Sequence, residues 1–101
     1  MQQMKLMIAE KKTENGMLLV ITDEDILGKI YSEKNLQLDL TKSFYQGDLH
    51  TIDEAKDKIK RAYILHFTGR FSVNLGVELD LIDPQKILNI KKIPHAEVSL
   101  M

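Results

Sequence analysis

The stretch from residue 51 to residue 82 constrains the fold most, because no other part of the chain is long and apolar enough to cover a small sheet. It opens with Thr51 and has Glu54 three residues later, which is the spacing of a capping box at a helix N-terminus. Apolar residues then recur at steps of three and four, as on one face of a helix: Ile52, Ala55, Ile59, Ala62 and Tyr63. We therefore predict a helix that starts at Thr51, and Gly69 as its C-terminal breaker.

The opposite face of this predicted helix is charged. The pairs Glu54–Lys58 and Asp57–Arg61 are each spaced by four residues with the acid first, which is the favourable order. A row of basic residues on a helix can bind RNA. The interleaved acids instead favour a solvated face whose charges pair with one another.

The second half of the stretch fits either a strand or a helix. Apolar residues occupy every second position from Phe71 to Leu81, which indicates a strand. For a helix, Ser72 can act as a cap, a stripe of apolar residues recurs with helical spacing, and Asp83-Pro84 ends the segment where helices stop. We interpret residues 71–81 as a second helix.

The remaining apolar segments predict strands. Residues 4–9 and 17–22 are predicted to pair as an antiparallel hairpin, since Asn15-Gly16 between them is a strong turn signal. A second hairpin is predicted around residues 33–35, and two closing strands at residues 86–90 and 96–100, connected by residues 91–95. The fold class that follows is α+β: a two-layer α/β sandwich with a mostly antiparallel sheet covered on one face by two helices. A length of 101 residues suits a single domain over residues 1–101.

Two connecting segments contain residues that can have either a structural or a binding role. Asp23 can cap a short helical turn that Gly28 closes; three consecutive acids can also bind a divalent cation, but no second acidic cluster supports that use. Phe44 and Tyr45 lie side by side just before Gly47, a residue typical of tight turns. These two aromatic rings can either stack on a ligand or anchor the loop onto the core, and anchoring is the more common use.

Composition excludes several classes of function. The chain has no cysteine, so disulfides, thiolate zinc sites and cysteine nucleophiles are excluded. Its net charge of −1 supplies no overall field that attracts nucleic acid or anionic membranes. No apolar run approaches the length of a membrane span, and Met1-Gln2-Gln3 does not open a signal peptide. We therefore expect a cytoplasmic protein without a membrane partner, and the sequence does not indicate its oligomeric state.

Four short motifs occur in a fixed order along the chain: Asp25-Ile26-Leu27-Gly28-Lys29, Phe44-Tyr45-Gln46-Gly47, Gly69 with Ser72-Val73 behind it, and Pro94-His95-Ala96. Together the motifs resemble the archaeal domain-of-unknown-function family 424 over nearly the whole chain. The resemblance implies a small two-layer α/β sandwich of archaeal cytoplasmic proteins without an established activity. It also implies an association with translation, suggested by gene context, and a helix after Gly69.

The resemblance gives structural roles to the glycines and the proline of these motifs, namely Gly28, Gly47, Gly69 and Pro94. The chain departs from the family pattern at two positions. It has His66 where the pattern usually has Asn, and Glu97 where the pattern usually has Gln. A role that needs an amide side chain at either position is therefore not carried over.

The residues offer little support for a cofactor or a metal. The chain contains no GxGxxG motif and no P-loop, so we expect no nucleotide cofactor. His50, His66 and His95 are far apart in sequence without a short histidine spacing, so we expect no metal site. None of the serines lies in a nucleophile-elbow frame.

Two functional hypotheses remain. The first is a non-enzymatic binding module for RNA, the ribosome or a translation factor, with Lys29, Tyr45 and His95 as binding residues. The second is a small enzyme in which His95 acts as a general acid or base beside a carboxylate, for which Glu97 is a candidate on the same strand face. A basic patch beside an aromatic ring favours the first hypothesis, and a deep pocket with His95 and a carboxylate favours the second.

Overall fold

The computed structural model describes residues 4–100, and within them the chain forms eight strands and two helices. The strands are β1 (Lys5–Thr13), β2 (Gly16–Asp23), β3 (Ile30–Glu33), β4 (Leu36–Asp39), β5 (Asp48–Thr51), β6 (Ala62–Thr68), β7 (Leu88–Ile90) and β8 (Ile93–Ser99). The helices are α1 (Ile52–Ile59) and α2 (Arg70–Glu78). Single 3-10 turns occupy Glu24–Ile26, Ser43–Tyr45 and Pro84–Lys86.

Six of these strands form one sheet in the order β5-β1-β2-β6-β8-β7. Strands β2 and β6 are parallel, and the other neighbours in this sheet are antiparallel. The predicted hairpin of β1 and β2 is confirmed, and so is the hairpin of β3 and β4, which forms a separate two-stranded sheet. The fold is thus mixed α/β with a large, mostly antiparallel sheet. Strand β5 was not predicted from the sequence.

The helix predicted from Thr51 begins as expected but ends early. The capping box is present, since Thr51 Oγ1 accepts a hydrogen bond from the Glu54 backbone N–H and Glu54 Oε1 accepts one from the Thr51 N–H. The prediction that the helix continues toward Gly69 is wrong, because α1 ends at Ile59 and β6 follows it. The segment AYILHFT is rich in aromatic and β-branched residues, and packing between β2 and β8 selects a strand there.

Gly69 starts a helix rather than ending one. It is the N-cap of α2 with a φ of +105°, a value that favours glycine. The expectation that Ser72 caps α2 is also corrected. The carboxylate of Asp23, at the end of β2, accepts hydrogen bonds from the backbone N–H groups of Phe71 (3.0 Å) and Ser72 (2.8 Å) and from the Ser72 hydroxyl (2.7 Å). Asp23 therefore caps α2 and makes no side-chain cap on the turn that follows it.

The two helices pack on one face of the large sheet, which we call the helix face, and cover it in part. Its buried core is aliphatic and aromatic, and combines strand and helix residues: Leu6, Ile8, Leu19, Ile21, Ala55, Ile59, Leu65, Phe67, Val73, Leu75, Ile82 and Ala96. Helix α1 lies against β1, β5 and β6, and α2 lies against β2, β6 and β8. The predicted position of Ile59 on the buried face of α1 is confirmed. Lys58, expected to pair with Glu54, instead pairs with Glu10 on β1.

The opposite face of the sheet, which we call the second face, carries a smaller cluster. Buried Ile26, Leu38, Leu40 and Ile90 pack there with Tyr31, Tyr45 and Ile93. The segment from Leu40 to Gly47 crosses this face close to β1 and β2. Gly47 has no space for a side chain, because a Cβ would collide with the backbone of Ile8 and Ala9. The glycine therefore lets the segment lie directly on β1.

No helix in the described part of the chain is long and apolar enough to cross a membrane.

Candidate functional site

Four aromatic rings form a continuous line across the second face, and we call it the ring row: Tyr45, Phe44, His66 and His95. The ring centroids of Tyr45 and Phe44 are 5.2 Å apart, those of Phe44 and His66 5.4 Å, and those of His66 and His95 6.0 Å. Phe44 stands nearly perpendicular to both of its neighbours, at 87° and 88°. Edge-to-face contacts at these distances are favourable between aromatic rings.

The strand register brings the two histidines together. His66 lies on β6 and His95 on β8, and these antiparallel strands pair His66 with Glu97 and Thr68 with His95. Side chains alternate between the faces of a sheet, and the neighbours Phe67 and Ala96 belong to the helix-face core. His66, Thr68, His95 and Glu97 therefore all lie on the second face.

His95 is held by Thr68. Its ring Nδ1 lies 2.8 Å from the Thr68 hydroxyl oxygen, and the two groups share a hydrogen bond. Burial lowers the pKa of His95, the nearby His66 lowers it further, and Glu97 opposes both effects. The pKa therefore lies below the usual 6.5, and His95 is neutral at pH 7. The prediction that His95 belongs to the connection between two strands is wrong, since the connection is only Lys91-Lys92 and His95 lies within β8.

His66 is neutral at pH 7 for a similar reason. Burial is the main cause that lowers its pKa, and Glu97 raises it by a smaller amount. The distance from His66 Nε2 to Glu97 Oε2 is 3.7 Å, and 62% of the Glu97 side chain is exposed. The carboxylate expected beside His95 thus lies within ion-pair distance of His66.

Among the described residues of the second face, a buried hydroxyl group near His95 has no hydrogen-bond partner. Thr22 and Thr68 are both fully buried and are partners in the β2–β6 register. Among the described residues, Thr22 Oγ1 is the buried side-chain polar atom without a hydrogen-bond partner. The part of the second face next to His95 is therefore polar even where it is closed to solvent.

A lysine lies beside the ring row. Lys11 Nζ, on β1, is 5.3 Å from the centroid of the Phe44 ring, which is within the range of a cation–π contact. Lys29 is exposed just before β3, and its backbone carbonyl accepts a hydrogen bond from the Leu40 N–H. The contacts that join the ring row do not include Lys29. Within residues 4–100, no group of three or more His, Cys, Asp or Glu side chains is arranged to hold a metal ion.

Comparisons with known proteins identify the family. Residues 10–101 match the sequence profile described as "Protein of unknown function (DUF424)". The chain belongs to this family. A search among curated proteins found no match.

A solved structure resembles this member of the DUF424 family. It is described as the crystal structure of an uncharacterized conserved protein from Methanopyrus kandleri, and it shares 22% of its sequence with this chain. The TM-score is 0.81, and the alignment covers 96% of this chain and 92% of the other. At this identity the similarity shows a common fold and carries no further functional information.

The two positions at which the resemblance implies amide side chains are neighbours in space. His66 and Glu97 are direct partners in the β6–β8 register, with 3.7 Å between His66 Nε2 and Glu97 Oε2. Two residues of the motifs show backbone features. Gly28 has a φ of +79°, and the Pro94 carbonyl accepts a hydrogen bond from the Gly69 N–H.

Sequence reasoning named the two ends of the ring row as binding residues, left Phe44 with two alternative uses, and gave His66 no role in binding. Tyr45 and His95 were predicted as binding residues, and the structure connects them through Phe44 and His66. Lys11, beside the first hairpin turn, was interpreted as a solubilising residue. The signal for His66 is the alternation in β6, where His66 lies between buried Leu65 and Phe67, but it is readable only when that segment is recognised as a strand.

Proposed function

We propose that this protein is a non-enzymatic binding module that holds single-stranded RNA on its second face, in the setting of translation. The observation that supports the proposal is the ring row, in which each ring centroid lies within 6.0 Å of the next across the surface of the sheet. Sheet surfaces that carry aromatic rings bind single strands through stacking with successive bases.

The chemistry of the ring row suits bases better than charged ligands. His66 and His95 are neutral at pH 7 because burial lowers the pKa of each, so their rings offer π-faces without a charge. Tyr45 packs into the cluster of the second face and fixes one end of the row. Phe44 and His66 keep part of their surface open to solvent. An anchored row with open middle rings provides a rigid stacking platform.

The charged groups near the ring row favour weak, local contact with phosphate. Lys11 lies over Phe44, so a base on the row would bring its phosphate close to this ammonium. The net charge of −1 supplies no long-range attraction. We therefore expect a dissociation constant in the micromolar range or weaker. The affinity should fall with salt concentration as expected for about one or two phosphate contacts. Translation is the setting that the family resemblance implies, and ribosomal RNA is then the RNA class to test.

The enzyme hypothesis receives less support from the same geometry. An acid–base pair of His95 and Glu97 needs the carboxylate beside His95, whereas it lies 3.7 Å from His66 Nε2. One ring nitrogen of His95 is already in a hydrogen bond with Thr68. The binding function is therefore the one we propose.

The test is fluorescence anisotropy with a labelled single-stranded RNA of roughly 12 nucleotides, a length within the site sizes of such binders. Loss of one base-stacking ring costs about 1–3 kcal/mol, so Phe44→Ala should weaken binding about 5- to 150-fold. Phe71→Ala is the matched control. Phe71 is 45% exposed and also carries a cation over its ring, Arg70 at 5.8 Å, but it lies on α2.

The control variant should bind within about twofold of the wild type. Equal weakening by both substitutions, or no binding by the wild type, would contradict the proposal. The setting is tested separately by sedimentation with ribosomal subunits, where wild type and Phe71→Ala should co-sediment and Phe44→Ala should not.

A further inference from the structure

A surface cavity of about 330 Å³ opens on the helix face between the ends of the two helices. It is lined by the end of α1, by the chain that leaves α2 and by the residue after β8: Lys56, Ile59, Lys60, Leu79, Leu81 and Leu100. The cavity thus lies where the two helices leave this face uncovered. Its volume is at the small end of the range for pockets that hold small molecules.

Four aliphatic side chains form the apolar part of the lining. Ile59 is 4% exposed and belongs to the helix-face core, and Leu79 and Leu81 are half-buried against that core. Leu100 lies at the same cavity and is 40% exposed. The cavity therefore presents aliphatic surface to water. An apolar chain that fills it would remove this surface from water, which is favourable.

Two lysines lie at one side of the cavity. Lys56 and Lys60 are four residues apart, and the backbone of Lys60 is still helical, with a φ of −62° and a ψ of −21°. Side chains at this spacing are neighbours on a helix, and like charges there repel each other. Among the described residues neither lysine forms an ion pair, whereas Lys58 between them pairs with Glu10. The described residues that line the cavity include no acid, so its rim is positively charged.

Backbone groups beside the cavity are already paired. The Leu100 N–H donates to the Tyr63 carbonyl, and the Leu81 N–H donates to the Gly76 carbonyl in the turn that ends α2. These groups are not available to an added strand. Side chains therefore carry the recognition of a ligand here, through aliphatic contact and the charges of the two lysines.

We propose that this cavity binds a small organic anion, namely a carboxylate with a straight aliphatic chain. The chain lies against Ile59, Leu79 and Leu81, and the carboxylate lies between Lys56 and Lys60. Each ammonium can donate a charge-assisted hydrogen bond to it, and the anion relieves the repulsion between the two lysines. The site is on the face opposite the ring row and is independent of the RNA that we propose there.

Charge complementarity favours a dissolved anion over a membrane surface or a second copy of this chain. The exposed side of α1 also carries Asp53 and Glu54, which an anionic membrane would repel. Two copies joined symmetrically at the cavity would place Lys56 and Lys60 of one copy against those of the other. A small anion avoids both conflicts, because it contacts the cavity alone.

NMR titration with sodium decanoate, below the concentration at which it forms micelles, tests the site. We expect saturable shifts of the methyl signals of Ile59, Leu79 and Leu81. Octanoate should bind about four- to fifteenfold more weakly, because each fully buried methylene contributes about fourfold. Decyltrimethylammonium, which has the same chain and the opposite charge, should bind at least about tenfold more weakly than decanoate. Unshifted methyl signals would show that the cavity holds no aliphatic chain and would overturn the proposal.

A double variant tests the role of the two lysines. Lys56→Gln, Lys60→Gln should bind decanoate and decyltrimethylammonium within about threefold of each other. Lys34→Gln, Lys42→Gln removes the same charge from exposed positions outside the cavity and should keep the preference for decanoate. An unchanged preference in the first variant, or equal binding of both amphiphiles by the wild type, would contradict the proposal.

Sedimentation with vesicles of phosphatidylglycerol separates a dissolved anion from a membrane surface. The wild type should stay in solution with these vesicles, although it binds decanoate. Co-sedimentation that is lost in Lys56→Gln, Lys60→Gln would assign the cavity to an anionic membrane and would also overturn the proposal.

Discussion

The helix face and the second face of the same sheet are built from different chemistry. On β6, Leu65 and Phe67 are fully buried against α1 and α2, whereas His66 and Thr68 point the other way into a face of hydroxyls and rings. The helix face has the large apolar side chains that stabilise a small protein through burial. The second face has half-buried titratable and aromatic groups, which are typical of binding sites. The comparison indicates that the alternation of one strand separates the apolar core from the face on which we propose binding.

The largest expected effect is a difference in stability between variants of two adjacent β6 residues that point to opposite faces of the sheet. Phe67→Ala should lower the free energy of unfolding by about 3–5 kcal/mol, because the ring is fully buried and leaves a cavity. His66→Ala should lower it by a smaller amount, about 1–2 kcal/mol, because its ring is smaller and 18% of its side chain is exposed. Chemical denaturation measures both. Equal losses would show that the second face contributes as much stability as the helix face.

The next effect concerns the cap of α2, at the end of β2. Asp23 is 4% exposed, and its carboxylate accepts three hydrogen bonds from Phe71 and Ser72. Asp23→Ala leaves these buried donors unpaired and should cost about 2–3 kcal/mol. Glu24→Ala, one residue further and exposed, should change stability by less than about 0.5 kcal/mol. A small loss for Asp23→Ala would mean that water or Gly69 replaces the cap.

The sequence contains signals for local features of this fold, such as caps and turns, but none for contacts between distant segments. Thr51 with Glu54 marks the start of α1, and Asn15-Gly16 marks the first hairpin, because capping and turn chemistry act over a few residues. The strand β6 was missed because Ala62 and Tyr63 continue the helical spacing of α1. Helix α2 was preferred over a strand mainly through the family resemblance.

The candidate site was even less accessible from sequence, since it depends on pairing between distant segments. Asp23 caps residues 48 and 49 positions away along the chain. His66 and His95 become neighbours only through the register of β6 and β8. Phe44 reaches them because Gly47 lets its segment lie on β1. Local patterns identify candidate residues such as Tyr45 and His95 but do not determine which of them meet.

A smaller expected effect is a dependence of the free energy of unfolding on pH that comes from the histidines of the second face. The pKa values of His66 and His95 are lowered by burial in the folded protein, whereas in the unfolded chain they return to about 6.5. Below that pH the unfolded chain binds more protons, so the free energy of unfolding should fall as pH decreases from 7 to 5. The double variant His66→Gln, His95→Gln should flatten this dependence. An unchanged slope in that variant would assign the pH dependence to groups outside the second face.

The smallest effect isolates the pair formed by His66 and Glu97. The carboxylate of Glu97 raises the pKa of both His66 and His95, so Glu97→Gln should lower both values, as measured by NMR titration of the imidazole rings. Stability should change by less than about 0.5 kcal/mol, because the carboxylate is mainly exposed and its neighbour is neutral at pH 7.

Glu54→Gln is the matched control, because Glu54 lies 3.7 Å from His50 on the helix side and glutamine can still complete the capping box. It should leave the pKa values of His66 and His95 unchanged. If Glu97→Gln lowers neither value, the carboxylate points away from the two rings in solution. If it lowers both, Glu97 is the carboxylate that opposes the effect of burial on His66 and His95, and the charge beside the ring row can be changed without a loss of stability.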